Sequence, residues 1–236
     1  MSNEQTYIGQ ELTIFAHAKN WKKYYASIIR PYFGKRIVEV GAGLGATTQA
    51  LCDGSQQEWV CLEPDPALRS EIDRMIGQKQ LPACCTTRSG FVSDIPSNET
   101  FDTLIYIDVL EHIEDDRKEL EEASARLVPG GRLIVLSPAF NYLYSPFDKS
   151  IGHFRRYDKK MFQALTPPGC KLERLMYLDS VGAATSLVNK TILSQSMPTV
   201  NQIIVWDRWI IPVAKWVDWL IGYSIGRSLV GIWTKQ

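Results

Sequence analysis

The chain has 236 residues, 45% of them hydrophobic, with 26 basic and 26 acidic side chains and a formal net charge of +0. That apolar share supports a full core and excludes a disordered or low-complexity chain. The balanced charge leaves no global field to favour nucleic acid or an acidic surface, and the length suits one α/β domain with insertions.

Glu11 to Arg30 reads as a helix, with Phe15, Ala18, Trp21, Tyr25 and Ile28 on one face and His17 on the surface; Pro31 and Gly34 end it. The run Arg36 to Val40 is the first strand, followed by a helix from Gly45 to Asp53. Glu58 to Leu62 is the second strand, Pro66 to Ile76 a helix, and Pro82 to Arg88 the third strand. Phe101 to Ile107 is the fourth strand and Asp115 to Leu127 its helix. Pro129-Gly130-Gly131 turns into the fifth strand, Arg132 to Ser137, and the sixth and last strands are Lys171 to Leu178 and Ser228 to Thr234. Such alternation means a doubly wound, mostly parallel α/β sheet with helices on both faces.

No repeat or Gly/Ser-rich linker divides the chain, so it reads as one domain. Its parts are a helical cap (1–34), a core (35–178), a helical insert (179–226) and the last strand (227–236). The five cysteines, at 52, 61, 84, 85 and 170, lack the C-x-x-C spacing of a zinc site; Cys84 and Cys85 read as buried thiols, and the set suits a reducing cytoplasm. Met1 to Leu12 is polar and lacks the apolar centre of an export signal, and no apolar run reaches the roughly 18 residues of a spanning helix. The expectation is a cytoplasmic protein with no metal.

The most informative stretch is Val38-Glu39-Val40-Gly41-Ala42-Gly43-Leu44-Gly45, where a buried strand ends in three alternate glycines before a helix. Glycines permit a sharp turn and close approach of a ligand, and the helix start offers free N–H groups. This is the design of a nucleotide-type cofactor site at the carboxyl end of a first strand. Gly41-x-Gly43-x-x-Ala46, with Glu63 roughly 20 residues on, also fits the dinucleotide fingerprint, so the loop alone leaves NAD and S-adenosylmethionine open.

Three further features accompany the loop: Glu39 inside the strand, just before the first glycine, then Phe101 to Ile113 with Asp108 and Glu111-His112, and Leu127-Val128-Pro129-Gly130-Gly131-Arg132-Leu133-Ile134-Val135. Together with the glycines they resemble the class I S-adenosylmethionine-dependent methyltransferases, especially the ubiquinone and menaquinone methyltransferase branch. The resemblance spans Ile37 to Ser137 well and the flanks weakly. It implies a Rossmann-like seven-stranded sheet whose last strand runs antiparallel beside the fifth. One departure is visible: family members often carry an acid after the glycine near the third strand, where this chain has Gly90-Phe91.

Strand ends then assign the site. Gly41, Gly43 and Gly45 pass the methionine part of the cofactor, Glu63 accepts from the ribose hydroxyls, and Phe91 or Val92 flanks adenine. Asp108 either faces the cofactor ammonium or caps the next helix. Glu39, a carboxylate in an apolar strand, needs partners; the expectation is that it holds the glycine-loop N–H groups from behind. His112 and His153 are candidate bases, each with a structural alternative: a hydrogen bond within its loop for His112, an Asp148–Arg ion pair pinning the loop for His153. Arg155, Arg156 and Tyr157 lie in the loop after the fifth strand and are candidates for binding the acceptor, with Trp21 and Tyr25 as pocket walls.

In the insert, Trp206, Ile210, Val213, Trp216, Val217 and Leu220 form a helical stripe, interrupted by Lys215 and Asp218, with a kink expected at Pro212. Trp206, Trp209, Trp216 and Trp219 are four of the seven tryptophans. The stripe reads first as a face packed on the sheet or a dimer interface, then as a lid over an apolar acceptor pocket, then as a membrane-surface helix. The expected function is methyl transfer to a small or medium organic acceptor. The alternatives are an NAD-linked oxidoreductase, a non-catalytic S-adenosylmethionine-binding module, and a methyltransferase for a lipid-linked acceptor.

Overall fold

The computed structural model describes residues 11–186 and 198–236 in full, and the backbone alone of residue 10 and of residues 187–192. Most of the opening segment read for an export signal lies outside these residues. The strands are β1 (Arg36–Val40), β2 (Glu58–Leu62), β3 (Cys85–Arg88), β4 (Phe101–Ile107), β5 (Leu127–Pro138), β6 (Cys170–Leu178) and β7 (Ser228–Lys235). The helices are α1 (Gln10–Phe15), α2 (Lys19–Ile29), α3 (Ala46–Leu51), α4 (Pro66–Gly77), α5 (Asp116–Ala125), α6 (Pro146–Ser150), α7 (Lys159–Ala164), α8 (Ser180–Ile192), α9 (Val200–Val205) and α10 (Ile211–Leu220).

One sheet of seven strands runs in the order β3-β2-β1-β4-β5-β7-β6. β7 is antiparallel to both its neighbours, β5 and β6, while the pairs from β3 to β5 are parallel. Alternate residues of each strand feed opposite faces. Ile37, Trp59, Ile105, Ile134 and Ile232 pack under α2, α3, α4 and the insert. Val38, Val60, Leu104, Leu133 and Trp233 pack under α5 and α7. Strand order reverses direction between β1 and β4, so a crevice opens beyond their carboxyl ends.

The expected single helix from Glu11 to Arg30 is two helices. α1 stops at Phe15 and α2 begins at Lys19, with Ala18 at a non-helical φ/ψ of −77°/67°. Ala18 has no side chain to cap α2. The Asp207 carboxylate does so from 187 residues away, accepting from Asn20 N at 3.0 Å and Trp21 N at 2.8 Å. Free N–H groups and the positive end of a helix favour a carboxylate there. Lys22 Nζ donates to the Phe15 carbonyl at 2.6 Å, closing α1.

The fifth strand also starts earlier than expected, at Leu127, which pairs with Phe101 ahead of a bulge in the ladder. The kink expected at Pro212 falls just after a π-helical stretch, Trp206–Ile210, that joins α9 to α10. Proline removes one N–H and crowds the carbonyl four residues back, and the wider turn relieves both.

The predicted apolar stripe is therefore only in part the buried face. Ile203, Trp206, Asp207, Ile211, Ala214 and Asp218 point inward, while Val213, Trp216 and Leu220 point out. Buried donors decide this. Asp218 accepts from Tyr24 Oη (2.8 Å), Asp179 N (2.7 Å) and Ser180 N (2.9 Å).

Glu39 departs from expectation too. Its Oε2 accepts from Thr48 Oγ1 (2.6 Å) and Trp59 Nε1 (2.9 Å), not from the glycine loop. Beyond the reach of sequence spacing, Cys52 meets Cys84 and Cys85, each with sulfur atoms 3.5 Å apart.

Two outcomes follow from these buried acids. Asp207→Ala leaves the start of α2 uncapped and should lower stability by about 1–3 kcal/mol, read as an earlier urea midpoint. Burial pushes the Glu39 carboxyl up to about 7, against the hydrogen bonds from Thr48 and Trp59. Its folded value lies above the unfolded one of 4.5, so the folded state binds the extra proton. That stability is complete below pH 4.5 and is lost as pH rises through about 7, by about 1–3 kcal/mol. Glu39→Gln keeps an acceptor for Thr48 and Trp59 and should flatten this loss across a pH series of urea melts.

Candidate active site

The cleft forms where β1 ends. Gly41, Gly43 and Gly45 all have positive φ (65°, 58° and 75°), which a side chain disfavours. At Gly41 a Cβ would also sit 2.7 Å from Val109. The turn is held from β2. The Leu62 carbonyl accepts from Gly41 N at 2.8 Å, and Glu63 Oε2 accepts from Gly43 N at 2.8 Å. Glu63 Oε1 takes the Asp65 N–H at 3.0 Å. Burial raises the Glu63 carboxyl above its ordinary value, against these two backbone donors. Each oxygen keeps a second lone pair, and Glu63 forms part of the cleft wall.

Asp108 stands across the turn. Its φ is 55°, a left-handed conformation that aspartate tolerates better than most residues. It does not cap a helix; Asp115 does that for α5, accepting from Lys118 N. The Asp108 side chain lines the cleft and is open to solvent there. Its sunken position pushes the carboxyl up to about 6, against the positive field of His153, Arg227, Lys22 and Arg156. Phe91 projects into the cleft largely exposed, whereas Val92 is wholly buried in the core. Asp94 takes the Phe91 N–H at 2.8 Å and shapes that turn.

The cleft measures about 1630 Å³. A pocket for one drug-sized ligand is roughly 300–1,000 Å³, so there is room for a cofactor and a second molecule. Its roof is apolar: Leu12, Phe15, Trp21 and Tyr25 from the first two helices, and Ile203, Trp206 and Ile210 from the insert. Lys22 also lines it, and burial lowers its ammonium to about 8.

Beyond Asp108 lies a polar end. His153 Nδ1 is 2.9 Å from Asp148 Oδ1, and its Nε2 is 3.9 Å from Glu111 Oε1. Arg156 forks onto both Asp148 oxygens at 2.8 and 2.9 Å. Burial acts to raise Asp148, yet hydrogen bonds from His153, Arg156 and Ser145 hold it far below the usual carboxylate range. An ionised Asp148 takes the Nδ1 proton of His153 as its donor and leaves Nε2 as the basic nitrogen. Glu111 is wholly buried; that burial, and then Asp108, push its carboxyl well above the ordinary range. His112 sits edge-on to His153 with ring centroids 4.5 Å apart. Burial and then His153 lower its imidazole to about 4, against a hydrogen bond to the Ile151 backbone.

Several expected site residues lie elsewhere. The Tyr157 hydroxyl bonds Leu110 O (3.2 Å) and Asp116 Oδ2 (2.9 Å), and its ring packs on Phe162 in the core. Arg155 pairs with Asp116 at 2.7 Å and the Glu114 carbonyl at 2.7 Å, outside the cleft. Arg156 does line the cleft; its Nε and Nη2 are taken by Asp148, and its buried Nη1 has no hydrogen-bond partner. A Cβ on Gly45 would point at Met75 and Ile72 of α4, and Glu39 and Val92 lie behind the cleft wall. Sequence reasoning passed over Lys22, Glu111 and Arg227, which line the cleft. Glu111 had a signal, since it adjoins His112; Arg227 had none, because the fold of the insert brings it there.

The sheet order discriminates between the two cofactors the loop allowed. A dinucleotide fold runs 3-2-1-4-5-6, whereas here an antiparallel β7 enters between β5 and β6. Residues 38–133 match a family described as a methyltransferase domain. The ubiquinone biosynthesis O-methyltransferase of Idiomarina loihiensis is 24% identical over 102 residues, 43% of this chain and 41% of that protein. The enzyme of the same description from Paramagnetospirillum magneticum is 27% identical over 105 residues, 44% of this chain and 41% of that one. The match thus spans about two fifths of each relative. A geranyl diphosphate methyltransferase solved with S-adenosylmethionine superposes with a TM-score of 0.64 over 99% of this chain and 92% of its own, at 13% identity. Residues 38–133 thus carry a methyltransferase domain, and the motifs and strand order of the chain are similar to those of the class I S-adenosylmethionine-dependent methyltransferases.

Proposed function

We propose that this protein transfers a methyl group from S-adenosylmethionine to a small or medium organic acceptor with an apolar body. The observation that carries the reading is the flanking of a left-handed glycine turn by two cleft-facing carboxylates, Glu63 and Asp108, beside a second, largely apolar compartment. These residues fit the cofactor. Glu63 has lone pairs left for sugar hydroxyls, the Asp108 carboxylate suits an ammonium, and Phe91 offers its ring to adenine. When bound, S-adenosylmethionine supplies a methyl group made electrophilic by its sulfonium.

The remaining tasks belong to the chain. Trp21, Tyr25 and Trp206 roof the cleft and exclude water, which strengthens every charge interaction beneath them. His153, oriented through Nδ1 by Asp148, is positioned to take a proton at Nε2 from an acceptor hydroxyl. His112, with its lowered basicity, is the weaker candidate. The free cysteines favour the cytoplasm as its location.

The test is a screen of phenolic, amine and carbon-acid acceptors with methyl-labelled cofactor, with S-adenosylhomocysteine release as readout. Tight NAD binding without S-adenosylmethionine binding overturns the proposal. Glu63→Ala should weaken cofactor binding by roughly 10–100-fold in calorimetry, since hydrogen bonds to a charged group are lost. His153→Gln should lower kcat by roughly 10²–10⁴-fold while leaving the cofactor Kd unchanged.

A further inference from the structure

We propose that the outward face of the segment from Val205 to Ile221 is a docking surface for an anionic phospholipid bilayer, placed so that the cleft takes its acceptor from that surface. Docking goes beyond the methyl-transfer reading and does not depend on it; only the delivery of acceptor does.

The face is apolar to a degree that isolated surface residues do not reach. Trp209, Trp216 and Trp219 are 67%, 69% and 63% exposed, and Leu220 is 71% exposed. A contiguous patch of this kind marks an interaction site, and exposed tryptophans suit the boundary between lipid headgroups and acyl chains. No described helix is long and apolar enough to cross a membrane, so the segment would lie in the plane of the interface.

Charge selects the occupant. Four charged residues lie between Val200 and Ile225: Asp207, Arg208, Lys215 and Asp218. Both acids are buried, Asp207 on the start of α2 and Asp218 on Tyr24 and the backbone before α8. Both cations are exposed among the tryptophans. The outward face of this segment thus carries only positive charge. A second copy of the chain is a poor occupant, because a two-fold contact pairs a patch with itself and would bring cations against cations with no carboxylate between them. An anionic bilayer matches both the aromatic rings and the charge.

Position adds a second argument. Val205 is exposed and also lines the cleft, as does Ile210 on the same segment. The patch therefore begins at the rim of the cleft. An acceptor with an acyl or prenyl tail would keep its tail in lipid while its reactive head enters the compartment holding His153.

The test is sedimentation of the full chain with vesicles of phosphatidylcholine alone and of phosphatidylcholine mixed with phosphatidylglycerol. Tryptophan emission is followed in parallel. The expected result is binding to the anionic vesicles that weakens with salt, with a blue shift in emission. Arg208→Glu with Lys215→Glu should reduce binding roughly tenfold or more. Trp216→Ser with Trp219→Ser should abolish the blue shift. Both double variants should bind S-adenosylmethionine as the parent does, which shows them folded. Failure to bind anionic vesicles overturns the proposal. So does a dimer in sedimentation velocity that becomes a monomer in the tryptophan variant, which assigns the face to a second copy.

Discussion

The hydrogen bond from Gly43 N to Glu63 is the contact on which the site depends. Three residues of a five-residue turn adopt a conformation that side chains disfavour, and such a turn needs an external hold. The Leu62 carbonyl and the Glu63 carboxylate provide it, so the end of β2 fixes the shape at the end of β1. Because Glu63 also faces the cleft, one carboxylate both builds the turn and presents lone pairs to whatever enters. Loop geometry and ligand affinity are therefore coupled through one side chain.

A second set of acids assembles the roof. Asp207 caps α2, Asp218 receives Tyr24 and two backbone N–H groups, and Asp179 takes Trp206 Nε1 at 3.0 Å and pairs with Arg227 at 3.3 Å. Buried carboxylates are costly unless satisfied, and each of these is. The insert is thus joined to α2 by directional bonds rather than by apolar contact alone. Trp21 and Trp206, with ring centroids 5.9 Å apart, meet over the cleft as a result. A roof built this way has few alternative seatings, because sliding it by one residue would strand three buried charges.

What was legible in the sequence was local. β1, β2 and β4 have the ends read from their apolar runs, since a buried strand bounded by glycine, proline or a charged turn announces itself within a few residues. The glycine turn, Glu63 and Asp108 were readable for the same reason, as strand ends that point at the cleft. The break after Phe15 was not readable, because its cause is Asp207, far along the chain. Tyr157 and Arg155 were read as ligand-facing from the polar mixture of their loop. Which way a loop side chain points depends on partners such as Asp116 on a distant helix, and no local pattern encodes that. The insert misled for a related reason: helical periodicity assumes a uniform pitch, and this helix does not have one.

That irregular pitch has a consequence of its own. The wider turn at Trp206–Ile210 lodges one additional residue in an otherwise α-helical rod. Each α-helical residue advances by roughly 100°, so the lodged residue sets the angular phase of everything after it. Wound as regular α-helix with that residue still in place, the rod would turn Trp216 and Trp219 by roughly a quarter turn, carrying Asp218 away from Tyr24. Which side chains of this helix meet the protein and which meet the outside is written in a count of residues, not in their identities.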